Sequence, residues 1–425
     1  MTMDLLRDRE FRAFLVANTL ERFAAAAMTV LLGFQVYDLT HDPLDLGWLG
    51  LIEAIPGVTL VLYGGHVADR HSRRRIVLWT TGALCALAAA IALLSHAAPG
   101  GLLHLLFLAG FLSGVIRAFE SPAATGLEAQ VVPLEGLLRG VALLATVGRL
   151  ADVFGPVAGG FAWHALGPRD TYGSIAVLFG LACLALFLGV AEKPLAHEAE
   201  DGAGVWQRIG DGIRTVFRSQ VLVGSMALDL FAVFFGGATA LMPVFATDIL
   251  QAGPVGYGFL QGASGAGALV AAILAGRFLP QHRAGAALFW VIAGFGVAIV
   301  VFGLSTSLPL SLAALFAAGL CDGTSVVIRR AILRLASPEA MRGRISAVKS
   351  VFVGSSNEIG AFESGLAASL LGAPAAVWGG GLVTLAVVAV TACLAPKLRQ
   401  LDLRTLRPED SMPELAVPLR DAARS

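Results

Sequence analysis

Charge is what this chain has least of. Only 14% of its 425 residues are Asp, Glu, Lys or Arg, where an average soluble domain carries about 25%. The 30 basic and 30 acidic residues cancel, so no net field draws a polyanion and nucleic acid is not an expected partner. Cysteine is scarce too. Cys85, Cys183, Cys321 and Cys393 stand singly in four apolar runs with no C-x-x-C pair, and they read as small hydrophobes rather than redox or metal groups. The eight histidines form no H-E-x-x-H pattern. No P-loop and no G-x-S-x-G elbow occurs, and Gly265-x-Gly267 lacks the last glycine of a dinucleotide loop and lies inside an apolar run. No cofactor, no metal and no enzymatic nucleophile–base pair is expected.

What the chain has is apolar length. Mean hydropathy is +0.77 and 56% of residues are hydrophobic. Disorder and a soluble surface are both excluded by that balance. A membrane-crossing helix needs roughly 20 mostly apolar residues. Such stretches lie near 12–37, 46–67, 76–96, 102–122, 140–165, 171–190, 219–246, 255–279, 284–304, 308–333, 345–371 and 374–395. The expected fold is an all-α polytopic membrane protein of twelve transmembrane helices in two pseudo-symmetric six-helix bundles. Its parts are an N-terminal bundle over 1–191, a cytoplasmic linker over 192–218, a C-terminal bundle over 219–396 and a tail over 397–425. In the linker, Trp206, Ile209, Ile213 and Phe217 fall at helical spacing, which suggests a short amphipathic helix on the membrane surface; a plain connector is the alternative. The tail from Pro396 reads as polar and flexible.

Basic residues set the expected orientation. With the N-terminus and Arg7, Arg9 and Arg12 inside, the inner loops also hold Arg70, Arg73, Arg74, Arg75, Arg139, Arg208, Arg214, Arg218, Arg283, Arg342 and Arg344, while the outer loops hold Arg169. Both termini are therefore expected in the cytoplasm of a bacterial cell, with the chain multi-pass in the inner membrane. The first apolar run is too long for a cleavable signal.

The halves repeat weakly. Glu21 aligns with Asp229, Pro43, Gly47 and Gly65 with Pro254, Gly258 and Gly276, and Gly148, Asp152 and Gly159 with Gly354, Glu358 and Gly365. Parallel repeats about an axis normal to the membrane are a transporter plan, with the substrate site between them. Thirteen ionisable residues lie in or close to the spans: Glu21, Arg22, Glu53, Arg117, Glu120, Arg149, Asp152, Asp229, Asp322, Arg329, Arg330, Glu358 and Glu363. A charge at mid-bilayer costs roughly 2.5–3.5 kcal/mol, so thirteen facing lipid would cost on the order of 40 kcal/mol. They must line a wet cavity, pair, or lie near the inner surface. Helices 3, 6, 9 and 12 carry none and are expected to face lipid.

Glu21 and Asp229 hold equivalent mid-depth places. Each is a candidate proton-coupling acid, Asp229 first, because Arg22 adjoins Glu21; permanent ion pairing is the alternative. Asp322 either binds a cationic group or pairs with an arginine. Arg149, Asp152 and Glu358 suggest a gating network. Phe23, Phe231, Phe234 and Phe235 offer apolar contact or simple packing. Gly155-Pro156-x-x-Gly159-Gly160 is expected to break the fifth helix.

The loop after the second helix reads Gly65-His66-Val67-Ala68-Asp69-Arg70-His71-Ser72-Arg73-Arg74. It resembles the signature loop of the major facilitator superfamily, with Ser72 in place of the usual inner glycine. The resemblance implies that this loop latches one conformation. Asp69 would cap the start of helix 11, and Arg73 would join a charge relay with Glu120 at the end of helix 4, alongside Arg117. Met341-Arg342-Gly343-Arg344-Ile345-Ser346-Ala347 and Ser356-Asn357-Glu358-Ile359-Gly360-Ala361-Phe362-Glu363-Ser364-Gly365 resemble the enterobactin-exporter-like branch, near the drug–proton antiporters. That branch implies proton-driven efflux of a siderophore or drug-like molecule. The resulting expectation is a monomeric secondary transporter whose partners are a small-molecule substrate, protons and the bilayer. Glu21, Arg22, Asp229 and Asp322 are expected in a cavity lined by helices 1, 4, 7 and 10. Uptake or uniport of a metabolite or lipid is the alternative within transport; a receptor or membrane enzyme is the alternative outside it.

Overall fold

The computed structural model describes residues 5–95, 99–133, 136–193, 214, 217, 219–235, 238–278, 282–337 and 342–404. All regular elements among them are helical. Nine helices are long and apolar enough to cross a membrane, and the apolar helices Gln220–Ala232 and Ile359–Leu371 are shorter. One of the nine, Leu137–Gly189, is 53 residues long, and Gly167 breaks it at φ 77°. Its two limbs are separate crossings, which brings the described spans to twelve.

These are α1 (Arg9–Thr40), α2 (Pro43–Arg70), α3 (Arg73–Leu94), α4 (Pro99–Val131), the limbs α5 and α6 of Leu137–Gly189 before and after Gly167, α7 (Gln220–Phe235), α8 (Gly253–Phe278), α9 (Ala284–Leu304), α10 (Leu308–Ala336), α11 (Arg342–Leu371) and α12 (Ala373–Leu394). The starts are capped as helix chemistry requires. Asp8 accepts from the amides of Glu10 and Phe11 at 2.8 and 3.0 Å, Asp42 from Leu44 at 2.9 Å and Ser72 from Arg75 at 3.4 Å.

Two compact units divide the described chain. The first comprises Met1–Ala199 with Thr239–Gly265, the second Glu200–Ala238 with Ala266–Ser425. In the first, α1 packs on α5, α2 on α4, and α3 on both α4 and α6, around Phe11, Phe14, Leu127, Leu144 and Leu186. In the second, α7 packs on α11, and α9 on α10 and α12, around Leu228, Leu288, Ile292, Ile328 and Leu398. Three of these four pairings recur six helices later, so the repeat visible in the sequence is a repeat of contacts. The segment after α7 passes through one helical turn (Met242–Val244) and a π-helical turn (Phe245–Ile249). There Asp248 accepts a hydrogen bond from the buried Tyr37 hydroxyl of α1.

Two expectations meet the structure differently, and one falls mostly outside the described residues. Pro156 does not break α5: the helix runs through it, held by Gly155 seated on the Phe23 carbonyl and Ala26 of α1. Tertiary packing there outweighs the lost amide donor, and the break falls at Gly167-Pro168. The described part of the tail, Pro396–Arg404, is docked, because Leu398 and Leu401 are buried in the second unit's core. The Leu401 carbonyl accepts from the Gly285 amide at 3.1 Å, and Asp402 meets His282 at 2.9 Å. The amphipathic linker helix lies outside the described residues, apart from Arg214 and Phe217, both helical.

Candidate functional site

The first unit contains a polar cavity of about 540 Å³. α1 supplies Asn18, Glu21, Arg22 and Thr29; α4 supplies Arg117, Glu120, Ser121 and Glu128; α5 supplies Asp152 and α8 Gln261. Glu21, Asn18 and Arg22 share one face of α1 through three- and four-residue spacing. The Arg22 Nε donates to Asn18 Oδ1 at 3.2 Å, and its guanidinium lies over Gly148, where a Cβ would stand 3.2 Å from it. Arg117 is held twice. Its Nη1 is 2.9 Å from Glu53 Oε1 of α2, and its Nη2 donates to Thr29 Oγ1 at 2.6 Å. The carboxyl groups of Glu21 and Glu120 face each other within hydrogen-bonding reach, and Arg22 and Arg117 lie near enough to act on both. Arg149 and Asp152 pair at 3.8 Å, both about half-exposed.

In the second unit one pair of charges is buried. Asp229 of α7 and Arg329 of α10 form an ion pair, and each is only 6% exposed. Asp322 sits two turns earlier on α10 with its Oδ1 3.7 Å from Arg329 Nη2. Two carboxylates thus share one buried guanidinium. Nearby on α7, Phe235 packs on Phe231 at 6.3 Å and on Phe234 at 4.8 Å, so these rings contact one another.

The structure brings together some of the expected site residues and separates others. Glu21, Arg22, Arg117, Glu120 and Asp152 converge on the cavity, which Phe23 does not line. Asp69 and Arg73 pair at 3.6 Å, and Arg73 donates to the Gly126 carbonyl of α4 at 3.2 Å. Glu120 is not at that relay. The reading that ended the fourth helix near 122 put Glu120 at its terminus, but α4 continues through Pro122 to Val131 and leaves Glu120 inside, opposite Glu21. Arg74 donates to the Phe187 carbonyl at 2.7 Å, Arg70 is exposed, and open space surrounds Gly65. The side chain of Glu358 lies outside the described residues. Sequence reasoning missed Asn18, Thr29, Gln261 and Glu128. The first three are uncharged and carry no signal in a charge count, whereas Glu128 lay past the expected helix end.

Twelve crossings in repeated sets, with a polar cavity inside one unit and a buried ion pair in the other, define a membrane transporter of the major facilitator type rather than an enzyme. The profile of the transmembrane secretion effector family matches residues 2–424, and the chain belongs to that family. Curated relatives include enterobactin exporters of Shigella boydii serotype 4, 26% identical over 340 residues covering 79% of this chain and 80% of the relative, and of Shigella flexneri, 25% identical over 340 residues covering 79% of each. Solved structures of the same fold include a POT family transporter in complex with 5-aminolevulinic acid, at TM-score 0.72, 12% identity and coverage of 92% and 97%. A bacterial homologue of the iron transporter ferroportin in an inward-facing state matches at TM-score 0.68, 18% identity and coverage of 92% and 99%. The chain is a multi-pass membrane protein that carries small molecules.

Proposed function

We propose that this transporter is a proton-driven exporter of a small amphipathic molecule, siderophore-like or drug-like, working by alternating access in the bacterial inner membrane with both termini in the cytoplasm. Export is supported by the relatives named as enterobactin exporters. Proton coupling is supported by one observation above all, the Glu21–Glu120 pair in the cavity. Two carboxyl groups lining one cavity repel when both are ionised, which favours a proton on one of them. When the proton leaves, two carboxylates face each other and Arg22 and Arg117 are the cations on hand to receive them. Cargo entering the cavity would compete for the same groups, linking cargo occupancy to proton release.

Asp229 takes a different part in this reading. Its cation is buried with it, and separating a buried pair by removing one partner costs roughly 3–5 kcal/mol. The Asp229–Arg329 pair is therefore assigned to holding α7 against α10, and the proton is assigned to Glu21 and Glu120.

Purified protein in liposomes loaded with a pH-sensitive dye tests the assignment, with enterobactin and lipophilic cations as cargo probes. The expected result is cargo-triggered proton movement in the wild type that disappears in Glu21→Gln and Glu120→Gln. Both variants should keep cargo exchange across the membrane at zero proton gradient. Undiminished proton movement in both variants would reject the assignment, and wild-type cargo flux without proton movement would reject coupling altogether.

A further inference from the structure

On the face of the first unit away from the cavity, α3 and α6 leave a groove of about 570 Å³. Trp79, Gly82 and Leu184 line it with Phe187, and Cys85 and Gly180 lie on its floor. Its wall is apolar, with Trp79 76% and Phe187 61% exposed. In a membrane protein an apolar wall of this kind meets acyl chains. The groove exists because Gly82 and Gly180 have no side chains: a Cβ at Gly82 would meet nothing within 4 Å.

One end of the groove is basic. Arg75 closes it, already balanced by Glu192 at 2.8 Å. Arg74 stands beside it over the Phe187 ring, 5.6 Å from the centroid. Its Nη2 is spent on the Phe187 carbonyl, no carboxylate meets it among the described residues, and its Nε is buried without a hydrogen-bond partner. A guanidinium that no described carboxylate neutralises, at the mouth of an acyl-sized groove, is matched by an anionic headgroup.

We propose that this groove is a binding site for an anionic phospholipid, one acyl chain lying between α3 and α6 and the phosphate on Arg74. A zwitterionic lipid has the same chain but brings its own cation to the headgroup, so it gains less at Arg74.

Tryptophan quenching by brominated lipids in vesicles tests this, using the full chain. Phosphatidylglycerol brominated near the headgroup should quench more than identically brominated phosphatidylcholine at equal mole fraction. The excess should vanish in Trp79→Phe, which locates it, and in Arg74→Gln, which removes the charge. Gly82→Leu fills the groove from a position where an added Cβ meets nothing within 4 Å, so it should keep the wild-type melting temperature and lose the excess. Equal quenching by the two lipids in the wild type would overturn the proposal, as would an excess that survives Gly82→Leu.

Discussion

Removing the guanidinium of Arg329 would leave Asp229 and Asp322 without their shared cation, one of them buried. Arg329→Leu should therefore destabilise the second unit by about 3–5 kcal/mol, read as an early transition in thermal unfolding. Asp229→Leu combined with Arg329→Met should recover most of that loss, since a buried pair replaced by apolar groups is often neutral or better. A double variant no more stable than Arg329→Leu would show that the pair does more than satisfy itself. Asp402 makes a second residue-level case, outside the membrane. The Arg404 amide and His282 hold its carboxyl below the usual carboxylate range. A depressed pKa contributes stability above the ordinary carboxylate pKa and loses it as pH falls through the lowered value. The docked segment Pro396–Arg404 should thus resist trypsin at neutral pH and become cleavable in strong acid by a protease active there, such as pepsin. Asp402→Asn should be more easily cleaved at pH 7 than the wild type; identical cleavage would remove Asp402 from the role.

Among elements, the close approaches are made by glycine. Gly160 of α5 lies on the Pro254 carbonyl, and Gly258 of α8 lies 2.6 Å, measured from its would-be Cβ, from the Pro156 carbonyl. Each contact belongs to the first unit, so Gly258→Leu should cost about 1–3 kcal/mol through overpacking. Gly379→Leu on α12, where a Cβ meets nothing, should cost little; equal losses in the two variants would contradict this packing. The elements themselves were legible in the sequence because apolar length and basic punctuation are strong signals, and all twelve spans were read from apolar length. Helix ends were not. Gly155-Pro156 reads as a break, yet α5 continues because α1 packs against it tightly enough to absorb one missing donor, and α4 likewise runs past the end expected near 122. That misplaced end is why Glu120 was read as a gate residue rather than as the partner of Glu21. The cavity's acids and arginines were visible as costly charges; which of them touch depends on helix rotation, about which composition is silent.

At the scale of the molecule, the basic residues of the proposed inner loops predict sidedness. Tags placed at the two ends should both be digested in inverted vesicles and both be protected in intact spheroplasts. Opposite protection of the two tags would reject an even number of crossings. Phosphatidylglycerol dependence and proton coupling can be measured on the same vesicles, and the first unit relates them. α5 and α6 are joined by no loop, only by Gly167, whose carbonyl accepts from the Thr171 hydroxyl at 2.7 Å. A loop would supply slack; an elbow of one residue supplies none. Whatever tilts or rolls α5, which carries Asp152 at the cavity wall, must carry α6 with it, and α6 is one bank of the lipid groove. On the proposed readings of groove and cavity, bilayer and cargo meet at that one elbow.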